Sequence, residues 1–159
     1  MRLEQETQYP FDGDITIRVD VETPTVFDLL LRIPGWAGAA QVAINGQIHS
    51  AAVTPGAYLN LSREWQAGDT VRLLLEMTPQ LIESHPLIEE THGQLAIKRG
   101  PLVYCLESAD LPEGARITDV RIRPDLSVTP GSDFQLELLL PGIKVLHGMV
   151  DVETSAAPW

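Results

Sequence analysis

Gly93–Glu107 reads GQLAIKRGPLVYCLE. Two short apolar runs, Leu95-Ala96-Ile97 and Leu102 to Leu106, flank Lys98-Arg99-Gly100-Pro101. Each run is short enough to be a buried β-strand, and Gly-Pro accounts for the break between them. Proline has no N–H for a ladder bond and pushes the preceding residue toward extended geometry. The stretch therefore predicts a strand that bends, or passes from one sheet to another, at Gly100-Pro101. Apolar runs of this length, broken in this way, belong in an all-β chain.

Working outward, the same fold class recurs. Ile15, Ile17, Val19 and Val21 alternate with Thr16, Arg18 and Asp20, the period of a strand wet on one face. Phe27, Leu29, Leu31 and Ile33 repeat the pattern, although Leu30 makes the second face partly apolar. Val42 and Ile44 lead into Asn45-Gly46, a pair that tolerates positive φ at both central positions of a type I′ turn. Residues 41–44 and 47–50 thus read as a hairpin. Ala57, Leu59 and Leu61 predict a strand over 57–61, and Val71, Leu73, Leu75 and Met77 another.

Pro79 marks a domain boundary, giving a first β-sandwich over 1–79 and a second, partial one over 80–159. Residues 1–13 are polar. Residues 80–93 read as a mixed connector and 108–115 as a loop. Strands are expected near 117–123, 133–140 and 143–152, with Leu138-Leu139-Leu140 and Val145-Leu146 apolar enough to be buried. No capped apolar pattern of helical period runs for ten residues. The fold class is an all-β antiparallel sandwich, one complete and a second partial.

Bulk properties narrow the function. Of 159 residues, 44% are apolar, an ordinary share for a globular core, and Gly and Pro number 12 each, which suits many turns. Asp and Glu outnumber Lys and Arg 22 to 11, giving a net charge of −11. Phosphate backbones need clustered cations, and the basic residues here are scattered, so no nucleic-acid partner is expected. No apolar run approaches a membrane span, so no membrane partner is expected either. One cysteine excludes an internal disulfide. No basic, then apolar, leader pattern is visible, which tips the compartment toward the cytoplasm without fixing it.

The reactive residue types fall short of a site. Cys105 lies in an apolar run with no partner nearby, and is read as a small buried hydrophobe rather than a thiolate nucleophile. His85, Glu89, Glu90 and His92 lack the i, i+4 spacing of helical zinc sites, so no metal is expected. His49 and His147 are isolated. Glu107 and Asp110 flank the end of an apolar segment, but no catalytic carboxylate pair can be chosen. Trp36, Tyr58 and Trp65 are the candidate substrate-binding residues, because sugar C–H groups stack on aromatic faces. Their plainer reading is as plugs at the ends of a sandwich.

Five segments then fall in a telling order. They are Tyr9-Pro10-Phe11-Asp12-Gly13, Leu31-Arg32-Ile33-Pro34-Gly35-Trp36, and Val42-Ala43-Ile44-Asn45-Gly46. Trp65 with Gly68-Asp69-Thr70-Val71 follows, and then Arg99-Gly100-Pro101-Leu102-Val103-Tyr104-Cys105-Leu106-Glu107. Together they resemble the C-terminal β-sandwich region of glycoside hydrolase family 127, the β-L-arabinofuranosidase-type proteins. The resemblance covers about residues 1–110 well and the rest loosely. It implies that catalysis resides in a large (α/α) barrel, whose acid/base Glu and zinc-bound Cys nucleophile, part of a Cys-Cys pair, have no counterpart here. Cys105 matches none of the family's catalytic cysteines, so no catalytic residue and no cofactor is carried over. The expected chain is a fragment, a non-catalytic accessory region whose partner is the barrel of the same parent protein, with a homodimer and a bound carbohydrate left open. An apolar outer patch should then be exposed. The rival reading is a stand-alone carbohydrate-binding module. A stand-alone enzyme has no positive support in these residues.

Overall fold

The structure is a computed structural model, and it describes residues 1–50, 52–91, 93–122, 126–130 and 146–152. The chain divides into two compact units. The first holds Met1–Thr78 with Gly100–Leu102, and the second Pro79–Arg99 with the described residues from Val103 onward. The expected strand over 133–140, Leu138-Leu139-Leu140, residues 143–145 and His92 lie outside the described residues.

The first unit contains β1 (Arg2–Thr7), β2 (Asp14–Asp20), β3 (Thr25–Arg32), β4 (Ala40–Ile44), β5 (Gln47–Ile48), β6 (Tyr58–Trp65) and β7 (Thr70–Leu75). A five-stranded sheet runs in the order β1-β2-β7-β4-β5, and β3 pairs β6 in a sheet of two. The observed pairings are antiparallel. Alternation places Val19, Val21, Val42, Val71, Leu73 and Leu75 of the larger sheet in one core with Leu29, Leu31, Leu59, Leu61 and Trp65 of the smaller. This is a sandwich, with one layer much narrower than the other.

Turn chemistry closes the strands as the residues demand. Asn45 (φ 50°) and Gly46 (φ 79°) both take positive φ, as a type I′ hairpin requires. At Gln66–Asp69, the Asp69 N–H donates to the Gln66 carbonyl (3.1 Å) with Gly68 at φ 86°, the type II arrangement.

In this unit one strand escapes the sequence reading and another outruns it. β1 is an edge strand exposed at all six positions, so it carries no inward apolar stripe. β6 extends to Trp65 rather than ending at 61, pairing residue for residue with β3 from Leu31↔Leu59 to Thr25↔Trp65.

After Thr78 come β8 (Pro79–Glu83), β9 (Leu95–Arg99) and β10 (Leu102–Tyr104), in the order β10-β9-β8. The connector read over 80–93 therefore begins with a strand. It was hidden because Leu81 and Ile82 are adjacent rather than alternating, while β8 pairs β9 from Pro79↔Arg99 to Glu83↔Leu95. Gly100-Pro101 is corrected more sharply. The chain neither bends onward nor changes sheet there; β9 and β10 are neighbours, joined by a two-residue turn with Gly100 at φ 58°. Nor are these strands buried, since Ala96 and Val103 are exposed.

Beyond them come β11 (Val120–Arg121), β12 (Val128–Pro130), β13 (Leu146–Gly148) and β14 (Asp151–Val152), with β11 paired to β14 and β12 to β13. Ile117–Asp119, expected as strand, is a 3₁₀ turn, because the Arg116 carbonyl accepts from Asp119 N–H (2.9 Å). The helices among the described residues are three-residue 3₁₀ turns.

Candidate functional site

The three aromatic candidates are separated by their local structure. Trp65 ends β6 on the inward face and is 0% exposed. Its indole N–H donates to the Phe27 carbonyl (3.0 Å), and its ring stacks on Phe27 at 5.6 Å. The Arg63 guanidinium covers it at 5.1 Å. A residue so enclosed presents no face to a sugar. Trp36, just after β3, is half-buried against the core and stacks on Tyr9 at 6.4 Å with an interplanar angle of 16°. Tyr58 alone is freely exposed, at the start of β6, with the Arg32 guanidinium 5.4 Å from its ring.

The best-organised polar group joins two turns instead. Asp69 is buried. One carboxylate oxygen accepts from the Gln66 backbone N–H (2.9 Å), the other from the Asn45 side-chain amide (2.8 Å), and Arg63 stands 3.6 Å away. The Asn45 side-chain oxygen Oδ1 in turn accepts from the Thr70 N–H (2.8 Å). The Gln66 N–H, then Asn45 and the Arg63 charge, hold the Asp69 carboxyl below the usual carboxylate range. Every group here already serves the fold, so the arrangement is a brace between turns. It was not singled out from sequence; the signal was Asn-Gly at 45–46 and Gly-Asp at 68–69, two turn pairs each carrying a short polar side chain. Beside it lies a shallow cleft of about 350 Å³ lined by Ile44, Asn45, Gln47, Ile48, His49 and Arg63.

Other carboxylates are likewise tied down. Asp14 receives a two-pronged contact from Arg72, Nε to Oδ1 at 2.8 Å and Nη2 to Oδ2 at 2.6 Å, which lowers its pKa. Asp110 accepts from the Glu107 N–H (2.8 Å), so these two acids cap a turn rather than face a substrate. Asp119 accepts from the Arg116 N–H (3.0 Å), which lowers its pKa too. Among the described residues no three His, Cys, Asp or Glu side chains gather to hold a metal. Cys105 is exposed, not buried as its apolar neighbours implied, because β10 ends one residue earlier.

Apolar side chains also stand exposed on the first unit. Val26, Leu30 and Tyr58 project from the outer side of β3–β6 and are 70%, 59% and 64% exposed.

Comparison with known proteins places these features in a family. Residues 1–77 match the middle domain of β-L-arabinofuranosidases of glycoside hydrolase family 127. Residues 79–157 match the C-terminal domain of the same family. A non-reducing end β-L-arabinofuranosidase of Bifidobacterium longum subsp. longum is 33% identical over 70% of this chain, which spans 18% of that protein. A solved glycoside hydrolase superposes with a TM-score of 0.87 at 36% identity, over 98% of this chain and 25% of its own. A family-127 β-L-arabinofuranosidase from Geobacillus stearothermophilus T6 gives 0.83 at 35% identity, over 97% of this chain and 24% of its own. The chain thus spans 18% to 25% of the length of these relatives.

Proposed function

The chain belongs to glycoside hydrolase family 127, as its middle and C-terminal domains, and from that premise we propose that it is a non-catalytic accessory region of a hydrolase acting on arabinofuranosyl glycans. One observation carries the reading: the stretch shared with this chain makes up only 18% and 24% of the relatives called β-L-arabinofuranosidases. Physical chemistry agrees with it. Glycoside hydrolysis needs two carboxyl groups flanking a bond, or an activated nucleophile, within reach of one substrate. The carboxylates of Asp14, Asp69, Asp110 and Asp119 are each committed to a turn or an ion pair.

The proposed work of the sandwiches is to support a hydrolytic region, the (α/α) barrel that the family resemblance implies, and any zinc would belong to that region. The purified chain alone should release no arabinose from a β-L-arabinofuranoside, measured by end-point sugar analysis at high protein concentration. Hydrolysis by the chain alone, abolished by substituting one of its own acids, would overturn the reading.

A further inference from the structure

Asn45 and Gly46 close the β4–β5 hairpin, and the pair carries a reaction of its own. The Gly46 backbone nitrogen, after giving its proton to solvent, can attack Cγ of the Asn45 side chain. The new N–Cγ bond closes a succinimide ring, the Cγ–Nδ2 bond breaks, and the amide nitrogen takes up a proton and leaves as ammonia. Water then opens the ring at either carbonyl, giving aspartate or isoaspartate at position 45. Glycine obstructs such an attack least, because no side chain stands beside its nitrogen. Among the described residues, nothing but its chain neighbours lies within 4 Å of where a Cβ on Gly46 would stand, so the turn is open on that side. Asn45 is exposed and lines the cleft of about 350 Å³ beside the turn, so water reaches it. Burial therefore does not protect the amide.

The brace to the next turn does protect it. Asn45 Oδ1 accepts from the Thr70 N–H (2.8 Å), and Nδ2 donates to Asp69 Oδ1 (2.8 Å). Attack turns the planar Cγ tetrahedral, which moves both atoms off their partners. It also gathers negative charge on Oδ1. The Thr70 N–H favours that charge, but the ionised Asp69 carboxylate on the same amide opposes it, and a full charge outweighs one neutral dipole. We propose that Asn45-Gly46 is a spontaneous deamidation site held in check by Asp69, and that the reaction, once complete, removes the brace that checked it. An aspartate at position 45 has no N–H to donate and sets a second carboxylate against Asp69, where like charges repel. An isoaspartate lengthens the backbone inside a turn that both residues enter with positive φ. Either product uncouples the hairpin from the Gln66–Asp69 turn. The inference stands on the first unit alone and is independent of the accessory reading.

The test incubates the full chain at neutral pH, well below its melting temperature. Peptide mass spectrometry reads position 45, and chromatography separates the aspartyl and isoaspartyl forms. Conversion in the folded chain should be at least tenfold slower than in the same chain held unfolded in urea. Asp69→Asn should speed conversion in the folded chain at least fivefold. Leu31→Ala empties core volume at the end of the β3–β6 pair remote from Trp65 and the turn after it, and should change the rate less than twofold. Equal acceleration by the two variants would assign protection to overall stability and overturn the role of Asp69. Slower conversion in Asp69→Asn would make Asp69 a promoter and overturn it too. The consequence of reaction is read from melting temperatures. Asn45→Asp, the aspartyl product itself, should melt several degrees below Asn45→Gly, which removes the side chain and tolerates the positive φ. Asn45→Asp combined with Asp69→Asn exchanges donor and acceptor and should recover at least half of that loss. Equal melting of Asn45→Asp and Asn45→Gly, or no recovery in the double variant, would overturn the like-charge loss of the brace.

Discussion

Asp69 illustrates how much one carboxylate can organise without doing chemistry. It accepts from Gln66 N–H and from Asn45, and through Asn45 it reaches Thr70, so two turns share one charge. Hydrogen bonds to a charged group contribute about 1.5–3 kcal/mol each when intact, and Arg63 adds little because it is partly exposed. Asp69→Ala should therefore lower stability by about 2 kcal/mol at neutral pH, read from urea denaturation midpoints. The pH dependence has a definite sign. Asp69 has its pKa lowered by folding, so its contribution is full above the unfolded carboxylate value, near 4, and is lost as pH falls through the lower folded value. The gap between wild type and Asp69→Asn should be widest above about pH 5 and close progressively below pH 4. A gap that stays constant down to pH 2 would mean that the charge is not what matters.

Among the elements, β2, β3 and β7 were legible because apolar and polar residues alternate along each, and burial follows that alternation throughout β7, from Phe27 onward in β3 and from Arg18 onward in β2. The Asn45-Gly46 hairpin was legible because positive φ at two successive positions admits few residue pairs. β1 and β8 were not, since pattern reading depends on a buried stripe and neither has one. Gly100-Pro101 showed that a strand stops but not where the chain goes next, which depends on the sign of φ at Gly100. The aromatic residues were ambiguous for a related reason: a tryptophan buries as readily as it displays a face, and only the length of β6 decides. Because β6 runs to position 65 on the inward register, Trp65 became core. Trp65→Ala should cost about 4 kcal/mol, since it empties a fully buried site of its largest side chain. Trp65→Phe should cost less, about 1–3 kcal/mol, by withdrawing the donor from the Phe27 carbonyl. A Trp65→Phe variant as stable as the parent would place the indole N–H outside the energetics of the strand pair. Tyr58→Ala, at the other end of the same strand, should change stability by less than about 1 kcal/mol because its ring is already in water.

For the whole molecule, the distribution of burial matters more than its amount. Among the described residues, the buried apolar side chains run from Val19 to Met77, all in the first unit. In the second, the strands from β8 onward carry only half-buried and exposed positions. Apolar burial is the main force opposing chain entropy, so the described strands of the second unit should be less stable on their own contacts than those of the first. Amide hydrogen exchange of the full chain, followed by mass spectrometry, should separate them. Peptides covering 15–21, 59–65 and 71–75 should exchange only through global unfolding, while those covering 79–104 should exchange at least about a hundredfold faster through local opening. Equal protection across both would mean that the second unit is stabilised by something other than burial of its described side chains. If the chain is a support for a longer hydrolase, the slow class should enlarge to include 79–104 once it is embedded in that hydrolase, because the missing burial would then come from the remaining three quarters of the polypeptide. Exchange at 79–104 that stays fast in the embedded chain would confine the supporting role to the first unit.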